Sequence, residues 1–454
     1  MRSALRAALA AALLAPAAAR GQSQLASALT QRVDSVIAAT VARGETAGVS
    51  VALARGGRIV YANGFGAATA APRRPATERT VYRLGSLTAQ FTAAAVLRLA
   101  DEGKLALDAE ITTYLPGYPT QGRRVFVRQL LAHTSGIANY TALGPRWERQ
   151  MARDVPPDSV IALFAGQPFA FEPGTQFRYN NSGYFLLGAI IEQVSGQRYA
   201  DYVREQVAGR LGLETVHYCG TRDDAANADG YAVQDGRFTR AAPVSMTQPF
   251  SAGALCAAAT DLARWPTLLA GGQLFPAPLY RRMTAPDTLA DGRVADYGYG
   301  VGVRQFAGRR VIEHGGGING FSTYLAHFPD DSLTIAVLAN TQTFDAQRLE
   351  RALARLLLPG AGPRDLPLTA TEPQRYAGAY VLGAHLPVRV WVERGRLTAQ
   401  PEGQRAFGLL HQGGGVFASD FDPEVTVTFA IAGGRATGFT LREPGRTTEA
   451  RRAR

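Results

Sequence analysis

The spacing of hydrophobic and polar residues changes several times along this chain, and each change marks a predicted element. Apolar residues recur at helical spacing over residues 25–41. Segments of strand character then predict a hairpin formed by residues 48–54 and 58–65. Residues 88–103 are apolar on nearly every side, which is typical of a helix buried at the centre of a large domain.

The middle of the chain is predicted to be mostly helical, and strands return after it. Helices are predicted over residues 182–194 and 260–269. Later elements are strands at 297–306, 309–313, 322–328 and 333–339 and a helix at 344–358. This order predicts an α/β layer whose sheet uses both ends of the segment, with a helical block inserted between them.

A segment rich in Pro and Gly interrupts this pattern and predicts a linker at residues 359–370. Beyond it, turns containing Gly separate five short predicted strands, at residues 378–380, 388–392, 396–399, 425–430 and 437–441. We expect a small all-β domain at residues 371–446, either a barrel or a curled sheet, and then a basic tail at residues 447–454.

The first 21 residues have the features of a signal peptide for export. Arg2 and Arg6 precede an apolar run at residues 7–15, which is too short to span a bilayer comfortably, and small residues at 17–19 suit a cleavage site. An ordinary Ala-rich helix is the alternative. No membrane span is predicted further along, so we expect a periplasmic or secreted protein.

The net charge of +11 does not predict nucleic-acid binding. Lys104 is the only lysine, and the arginines are scattered instead of forming a basic face. The sequence has no metal-ligand spacing, phosphate loop or dinucleotide fingerprint, so no cofactor is expected. The expected partner is a small-molecule or peptide substrate, and the oligomeric state stays open.

The two cysteines, Cys219 and Cys256, favour a disulfide, because an even pair in an exported protein is usually bonded. Two separate buried thiols are the alternative. A bond would close a loop long enough to stabilise the fold by about 3–4 kcal/mol in the chain-entropy model.

Ser86 lies where the central helix is predicted to begin, after a turn at Gly85. Unpaired N–H groups and the positive end of the helix dipole surround such a position, which suits a nucleophile that carries an anionic intermediate. Taken alone, the stretch favours the simpler interpretation that Ser86 is an N-cap residue.

Four stretches in this order resemble the motifs of the serine β-lactamase and penicillin-binding-protein superfamily, nearest its branch of class C β-lactamases, DD-peptidases and esterases. The stretches are residues 84–92, residues 131–137, Tyr179-Asn180-Asn181, and His314-Gly315-Gly316-Gly317 with residues 320–322. The resemblance spans most of residues 30–358, so the main domain is expected at residues 22–358. It implies a β-lactamase-like sandwich of an antiparallel sheet flanked by helices with an inserted helical subdomain, followed by a small all-β barrel.

The resemblance also implies roles for the motif residues. Ser86 would be the nucleophile, and its N–H would form the oxyanion hole with that of Gly317, beside Gly316. Tyr179 would be the general acid/base. The remaining roles fall to Asn181, which would hold the substrate amide, and to His314, which would line the site.

One residue departs from the family's Ser-x-x-Lys motif, because Ala89 replaces the lysine. Lys104 is about 25 Å along the helix and cannot substitute. The loss removes a partner that activates the serine and a cation that would lower the pKa of Tyr179.

Arg83 and Arg178 as cations, or a neutral His314 as a base, are the candidates to fill this gap. The sequence therefore supports two functions. One is a weak or rewired serine hydrolase that acts on an amide, peptide or ester. The other is an inactive pseudoenzyme that serves as an exported binding or scaffold protein.

Overall fold

The computed structural model of this protein describes residues 25–221, 226–360, 365–369, 372–393, 395–404, 406–420, 425–443 and 446–453. The predicted signal peptide at residues 1–21 lies outside the described residues, as does part of the predicted linker. Within the described ranges, every helix is too short or too polar to cross a membrane.

A seven-stranded antiparallel sheet forms the centre of the larger domain. The early strand Gly48–Arg55 pairs with the late strand Leu333–Ala339, so the sheet joins both ends of the segment as the element order predicts. In sheet order, the strands are Gly302–Phe306, Arg309–Ile318, Phe321–Phe328, Leu333–Ala339, Gly48–Arg55, Arg58–Ala70 and Arg73–Pro75. The predicted α/β sandwich is confirmed.

Helices cover both faces of this sheet. Ser27–Ala42 and Ala346–Leu357 pack on one face. The central helix Thr88–Asp101 and the helix Ala259–Ala270 belong to the larger core on the other face. Most of the 14 residues of the central helix are buried, which explains why its sequence has no polar face.

The inserted block consists of short helices around one longer helix, Asn181–Ser195. The other helices and turns of the block are Ile111–Thr113, Val127–Leu131, Tyr140–Ala142, Pro145–Glu148, Pro157–Ala165, Tyr199–Tyr202, Val203–Ala208, Gly209–Leu211, Phe250–Gly253 and Ala277–Met283. Two small hairpins accompany them, Tyr231–Gln234 with Arg237–Arg240 and Asp287–Thr288 with Val294–Ala295.

A disulfide joins Cys219 to Cys256, with their Cα atoms 5.2 Å apart. Cys256 lies in the strand Leu255–Ala258, the middle strand of a small sheet with Val81–Arg83 and His217–Tyr218. In this sheet Cys256 pairs with Arg83, three residues before Ser86. The disulfide therefore braces the strand that leads to Ser86.

The predicted strand at residues 297–306 is wrong in its first half, since the structure has a strand only over Gly302–Phe306. Residues before it form turns that lie directly on the central helix. Gly300 has a φ of +72°, and a Cβ there would lie 2.7 Å from the carbonyl oxygen of Ala89. Glycine is required by both the conformation and the close approach, which a strand would not provide.

The C-terminal domain is a closed barrel of eight strands, as the resemblance implies, but it contains three strands that the sequence pattern misses. The strands are Gly378–Leu382, Leu386–Glu393, Arg396–Pro401, Phe407–Gly413, Val416–Ser419, Thr426–Ala432, Arg435–Glu443 and Arg446–Arg452. The short helix Pro373–Tyr376 precedes the barrel.

The predicted basic tail at residues 447–454 is wrong as far as Arg452, because Arg446–Arg452 is the strand that closes the barrel. Its sequence has no alternating apolar pattern that would predict a strand, because Ala450 is its only buried residue. The guanidinium of Arg452 donates hydrogen bonds to the carbonyl oxygens of Ala436 and Ala377, at 2.8 and 2.6 Å. Arginine here satisfies backbone acceptors instead of forming a free tail.

Candidate active site

Ser86 lies in a single 3-10 turn, Gly85–Leu87, between a strand and the central helix. The turn requires glycine at position 85, where φ is +55° and a Cβ would lie 2.9 Å from the carbonyl oxygen of Gly317. The helix begins at Thr88, its N-cap residue is Leu87, and no side chain caps it. The interpretation of Ser86 as an N-cap is therefore wrong.

Ser86 lies close to Tyr179 instead, and its hydroxyl lowers the pKa of that phenol. Desolvation raises the pKa of Tyr179 to about 12, and the interaction with Ser86 offsets only part of this effect. At neutral pH the phenol consequently keeps its proton. A protonated phenol is a weak acceptor for a proton from a neighbouring hydroxyl.

Ala89, one helical turn beyond Ser86, is 1% exposed and belongs to the apolar core. The turn at Gly300 packs on the same helix, because a Cβ on Gly300 would lie 2.7 Å from the carbonyl oxygen of Ala89 and 3.1 Å from the Cβ of Ala93. The position that carries an amine in the motif is therefore part of the buried apolar core.

The other basic side chains suggested by the sequence have different partners. Lys104 pairs with Glu102 at 2.9 Å. The guanidinium groups of Arg83 and Arg178 lie over the rings of Phe321 and Phe171, at 5.9 and 5.5 Å. Within the described part of the chain, the pKa of Tyr179 reflects only desolvation and Ser86.

Ser86 opens into a cleft of about 120 Å³, which we call the serine cleft. Asn181 lines it at the first position of its helix, and its side-chain nitrogen donates to the hydroxyl of Thr141 at 3.1 Å. The neighbouring Asn180 has a structural role, because its side-chain oxygen accepts the N–H of Gly183 at 3.1 Å and caps the helix.

The edge of the main sheet forms the opposite wall of the serine cleft. A Cβ on Gly316 would lie 2.0 Å from the carbonyl oxygen of Leu84, so only glycine allows the strand to approach the Ser86 turn. The hydroxyl of Thr323 donates to the same carbonyl at 2.8 Å and fixes this contact. Gly317 consequently lines the cleft beside Ser86.

His314 lies in a second cleft of about 340 Å³, lined also by Tyr179 and Tyr297, which we call the histidine cleft. Its Nδ1 is 2.6 Å from the carbonyl oxygen of Gly315 and must donate to it. Nε2 is then unprotonated and accepts the hydroxyl of Tyr297 at 2.8 Å. Burial lowers the pKa of His314 to about 4, so this neutral tautomer persists at physiological pH.

The same hydrogen-bond chain continues to His133. Its Nδ1 accepts the N–H of Asn180 at 3.1 Å, so its Nε2 is protonated and donates to the hydroxyl oxygen of Tyr297 at 3.2 Å. Burial lowers the pKa of His133 to about 3. His133 therefore helps to orient Tyr297, which occupies the acceptor atom of His314.

The structure brings Ser86, Tyr179 and Asn181 together with Gly316 and Gly317. It places His314 on the other side of Tyr179, with both ring nitrogens already hydrogen bonded. Sequence reasoning missed Tyr297, which was assigned to a strand. The alternation of Tyr and Gly at residues 297–300 is the signal that could have indicated a closely packed turn.

A serine before a buried helix, close to a tyrosine and beside the glycines of an antiparallel sheet, is an arrangement that suits an acyl-transfer serine hydrolase. The family model described as Beta-lactamase matches residues 33–358, and the chain belongs to this family. The resemblance inferred from the motifs is thus confirmed.

Known relatives extend the match beyond this domain. The chain is 28% identical to penicillin-binding protein 4* of Bacillus subtilis over 89% of this chain and 95% of that protein. It is 26% identical to a D-aminopeptidase of Gluconobacter oxydans, over 72% of this chain but only 63% of the relative. Its fold is similar to that of the octameric penicillin-binding protein homologue from Pyrococcus abyssi, with a TM-score of 0.66, 25% identity and coverage of 93% and 99%.

Proposed function

We propose that this protein is an exported serine hydrolase that forms an acyl-enzyme on Ser86 and reacts slowly at neutral pH. The observation that carries the proposal is the position of Ser86, which lines one cleft with Asn181 and Gly317 and lowers the pKa of the neighbouring Tyr179. A nucleophile and oxyanion donors are the parts that acyl transfer needs most, and activation by a base is the part that Ala89 removes.

In this proposal, Ser86 attacks the carbonyl carbon of an amide, peptide or ester and passes its proton to ionised Tyr179. The C–N or C–O bond then breaks, and Tyr179 returns the proton to the departing amine or alcohol, which leaves the acyl group on Ser86. The N–H groups of Ser86 and Gly317 receive the negative charge that develops on the carbonyl oxygen. Asn181 holds the substrate amide. Since the pKa of Tyr179 is about 12, roughly one phenol in 10⁵ is ionised at pH 7.

The names of two relatives support a class of substrate. One is a penicillin-binding protein and the other a D-aminopeptidase, so we propose peptides or amides that contain D-amino acids. The disulfide between Cys219 and Cys256 supports export, since such bonds persist mainly in oxidising compartments.

The test is covalent labelling with a fluorophosphonate and with a penicillin, followed by intact-protein mass spectrometry at pH 9. We expect slow addition of one probe mass to the wild type and none to Ser86→Ala. Ser182→Ala is the matched control, because Ser182 is a buried serine whose hydroxyl donates to the carbonyl of Ala138 at 2.7 Å. Absence of any adduct after long incubation would contradict the proposal.

The second candidate is a pseudoenzyme that binds a cell-envelope peptide without turning it over. The burial of Ala89 in the apolar core favours it, because the motif position that carries an amine holds no ionisable group here. Measurable turnover that disappears in Ser86→Ala would exclude this candidate. Tight binding of a D-amino-acid peptide, equal in wild type and Ser86→Ala and without turnover, would support it.

A further inference from the structure

A third cleft, of about 160 Å³, adjoins the serine cleft and is lined mainly by polar groups. Its side chains of interest are Arg83, Asp229, Arg240, Asn319 and Phe321. We propose that this cleft, which we call the arginine cleft, binds a carboxylate carried by the substrate of the Ser86 site. The proposal rests on the proposed function and narrows its substrate class.

Arg83 supplies the first argument. Its guanidinium is half-buried over the ring of Phe321, at 5.9 Å from the ring centre. Burial lowers its pKa, and no anion compensates for this among the residues that the structure describes. A guanidinium has five N–H donors in a fork that matches a carboxylate, and it stays charged at any physiological pH.

The charge balance of the arginine cleft supplies the second argument. The carboxylate of Asp229 lies 2.5 Å from a guanidinium nitrogen of Arg240, so these two residues neutralise each other. Among the described residues of the lining, Arg83 leaves one positive charge in excess. A single carboxylate would compensate it and form charge-assisted hydrogen bonds.

Proximity to Ser86 supplies the third argument. Arg83 is three residues from Ser86, so their Cα atoms lie within about 11 Å of each other. Asn319 lines both the serine cleft and the arginine cleft. Its side-chain nitrogen donates to the carbonyl of Ala242 at 3.0 Å, which holds this shared side chain in place. One short acyl chain can therefore occupy both clefts at once.

The test compares 4-nitrophenyl half-esters of dicarboxylic acids, with two to five methylenes between the carbonyls, with their neutral methyl esters. We expect Ser86 to be acylated about 10- to 100-fold faster by the anionic ester for at least one chain length. Arg83→Gln should abolish the preference, and Arg83→Lys should keep part of it. Arg389→Gln is the matched control, since Arg389 stacks on Trp391 in the barrel at 5.4 Å.

A second variant covers the case in which Arg83→Gln does not fold. Arg240→Gln leaves Asp229 free to compensate Arg83, so it should weaken or abolish the preference for the anionic esters. Equal rates for anionic and neutral esters in the wild type would overturn the proposal. So would an Arg83→Gln variant that slows both series equally, because Arg83 would then only support the fold.

Binding to the Ser86→Ala protein separates this inference from the proposed function. By calorimetry, the monoanilide of the preferred dicarboxylic acid should bind at least tenfold more tightly than its methyl ester, and inorganic phosphate should compete only weakly. If this preference persists while wild type is never acylated, the hydrolase proposal fails and the arginine cleft stands. Equal binding of both anilides, or tighter binding of phosphate, would contradict the cleft's role.

Discussion

The two clefts on either side of Tyr179 differ in what they lack. The serine cleft is lined by Ser86, the proposed nucleophile, with Asn181 and Gly317, and the described residues that line it include no nitrogen base. The histidine cleft has a neutral imidazole, but Tyr297 occupies its only acceptor atom. The hydroxyl of Ser86 and the imidazole of His314 are thus both present, but they lie in different clefts.

This difference indicates how a cleft can keep its shape while the motif amine is missing. Ala89 stands where the family motif has the amine and is buried in the apolar core, and Ser86 still lowers the pKa of Tyr179. The pKa of Tyr179 therefore stays raised, so its phenol is protonated at neutral pH and is not available as a base.

The largest expected effect comes from Ala89→Lys, which would place an amine base beside Ser86. An amine one turn from Ser86 would accept its proton and lower the pKa of Tyr179. We expect the rate of Ser86 labelling at pH 7 to rise by about 10³-fold or more. Stopped-flow or mass-spectrometric labelling measures it.

Ala89→Met is the control for Ala89→Lys, because it has similar length and no charge. It should leave the labelling rate within about threefold of wild type if packing is tolerated. If Ala89→Lys folds and labels no faster than Ala89→Met, the missing amine does not explain the low reactivity.

The next largest effect is expected on removal of the disulfide that braces the strand leading to Ser86. Cys219→Ser/Cys256→Ser opens a loop with a sequence separation of 37, and it should lower the free energy of unfolding by about 3–4 kcal/mol. Denaturant titration, followed by fluorescence of Trp265 in the same domain, measures this loss. Wild type in reductant should match the variant, and a variant as stable as oxidised wild type would show that the brace is dispensable.

A smaller effect should come from releasing the base of the histidine cleft with Tyr297→Phe. The Nε2 of His314 loses its donor and can accept a proton from Tyr179, whose ring centre is 6.0 Å away. We expect about a tenfold faster labelling of Ser86 at pH 7. This gain is smaller than the roughly 10²–10⁴-fold of a well-positioned general base, because His314 would be only partly aligned.

The pH dependence identifies the base in Tyr297→Phe. The lowered pKa of His314, about 4, means that the imidazole is deprotonated throughout pH 6–8, so its contribution should be flat over that range. The control is Tyr299→Phe, because the hydroxyl of Tyr299 accepts from Arg282 at 2.9 Å instead of serving His314. Equal rates in both variants and wild type would show that Tyr297 does not restrain His314.

Much of the fold could be predicted from the sequence because its periodicity is strong. The apolar central helix, Thr88–Asp101, and the strand Leu333–Ala339 follow directly from the pattern. The closing barrel strand could not be predicted, since only Ala450 of Arg446–Arg452 faces the core. Barrel closure is decided by pairing with distant strands, which local alternation does not record.

The motif residues of the site could be predicted, but their grouping could not. The resemblance to the family's motifs indicates Ser86, Tyr179 and Asn181, and it indicates the missing amine at Ala89. It does not show that Tyr297 holds one tautomer of His314, because that depends on a hydrogen-bond chain between residues 133 and 314 that are far apart in the chain. A lone tyrosine in a Gly-rich segment carries no local sign of such a role.

The pH–rate profile of wild-type labelling at Ser86, from pH 6 to pH 10, tests the central claim most directly. If ionised Tyr179 is the base and its pKa is about 12, the rate should rise about tenfold per pH unit with no plateau in that range. A plateau with a midpoint between pH 6 and 8 would contradict the account, since it would reveal a working base already in contact with Ser86.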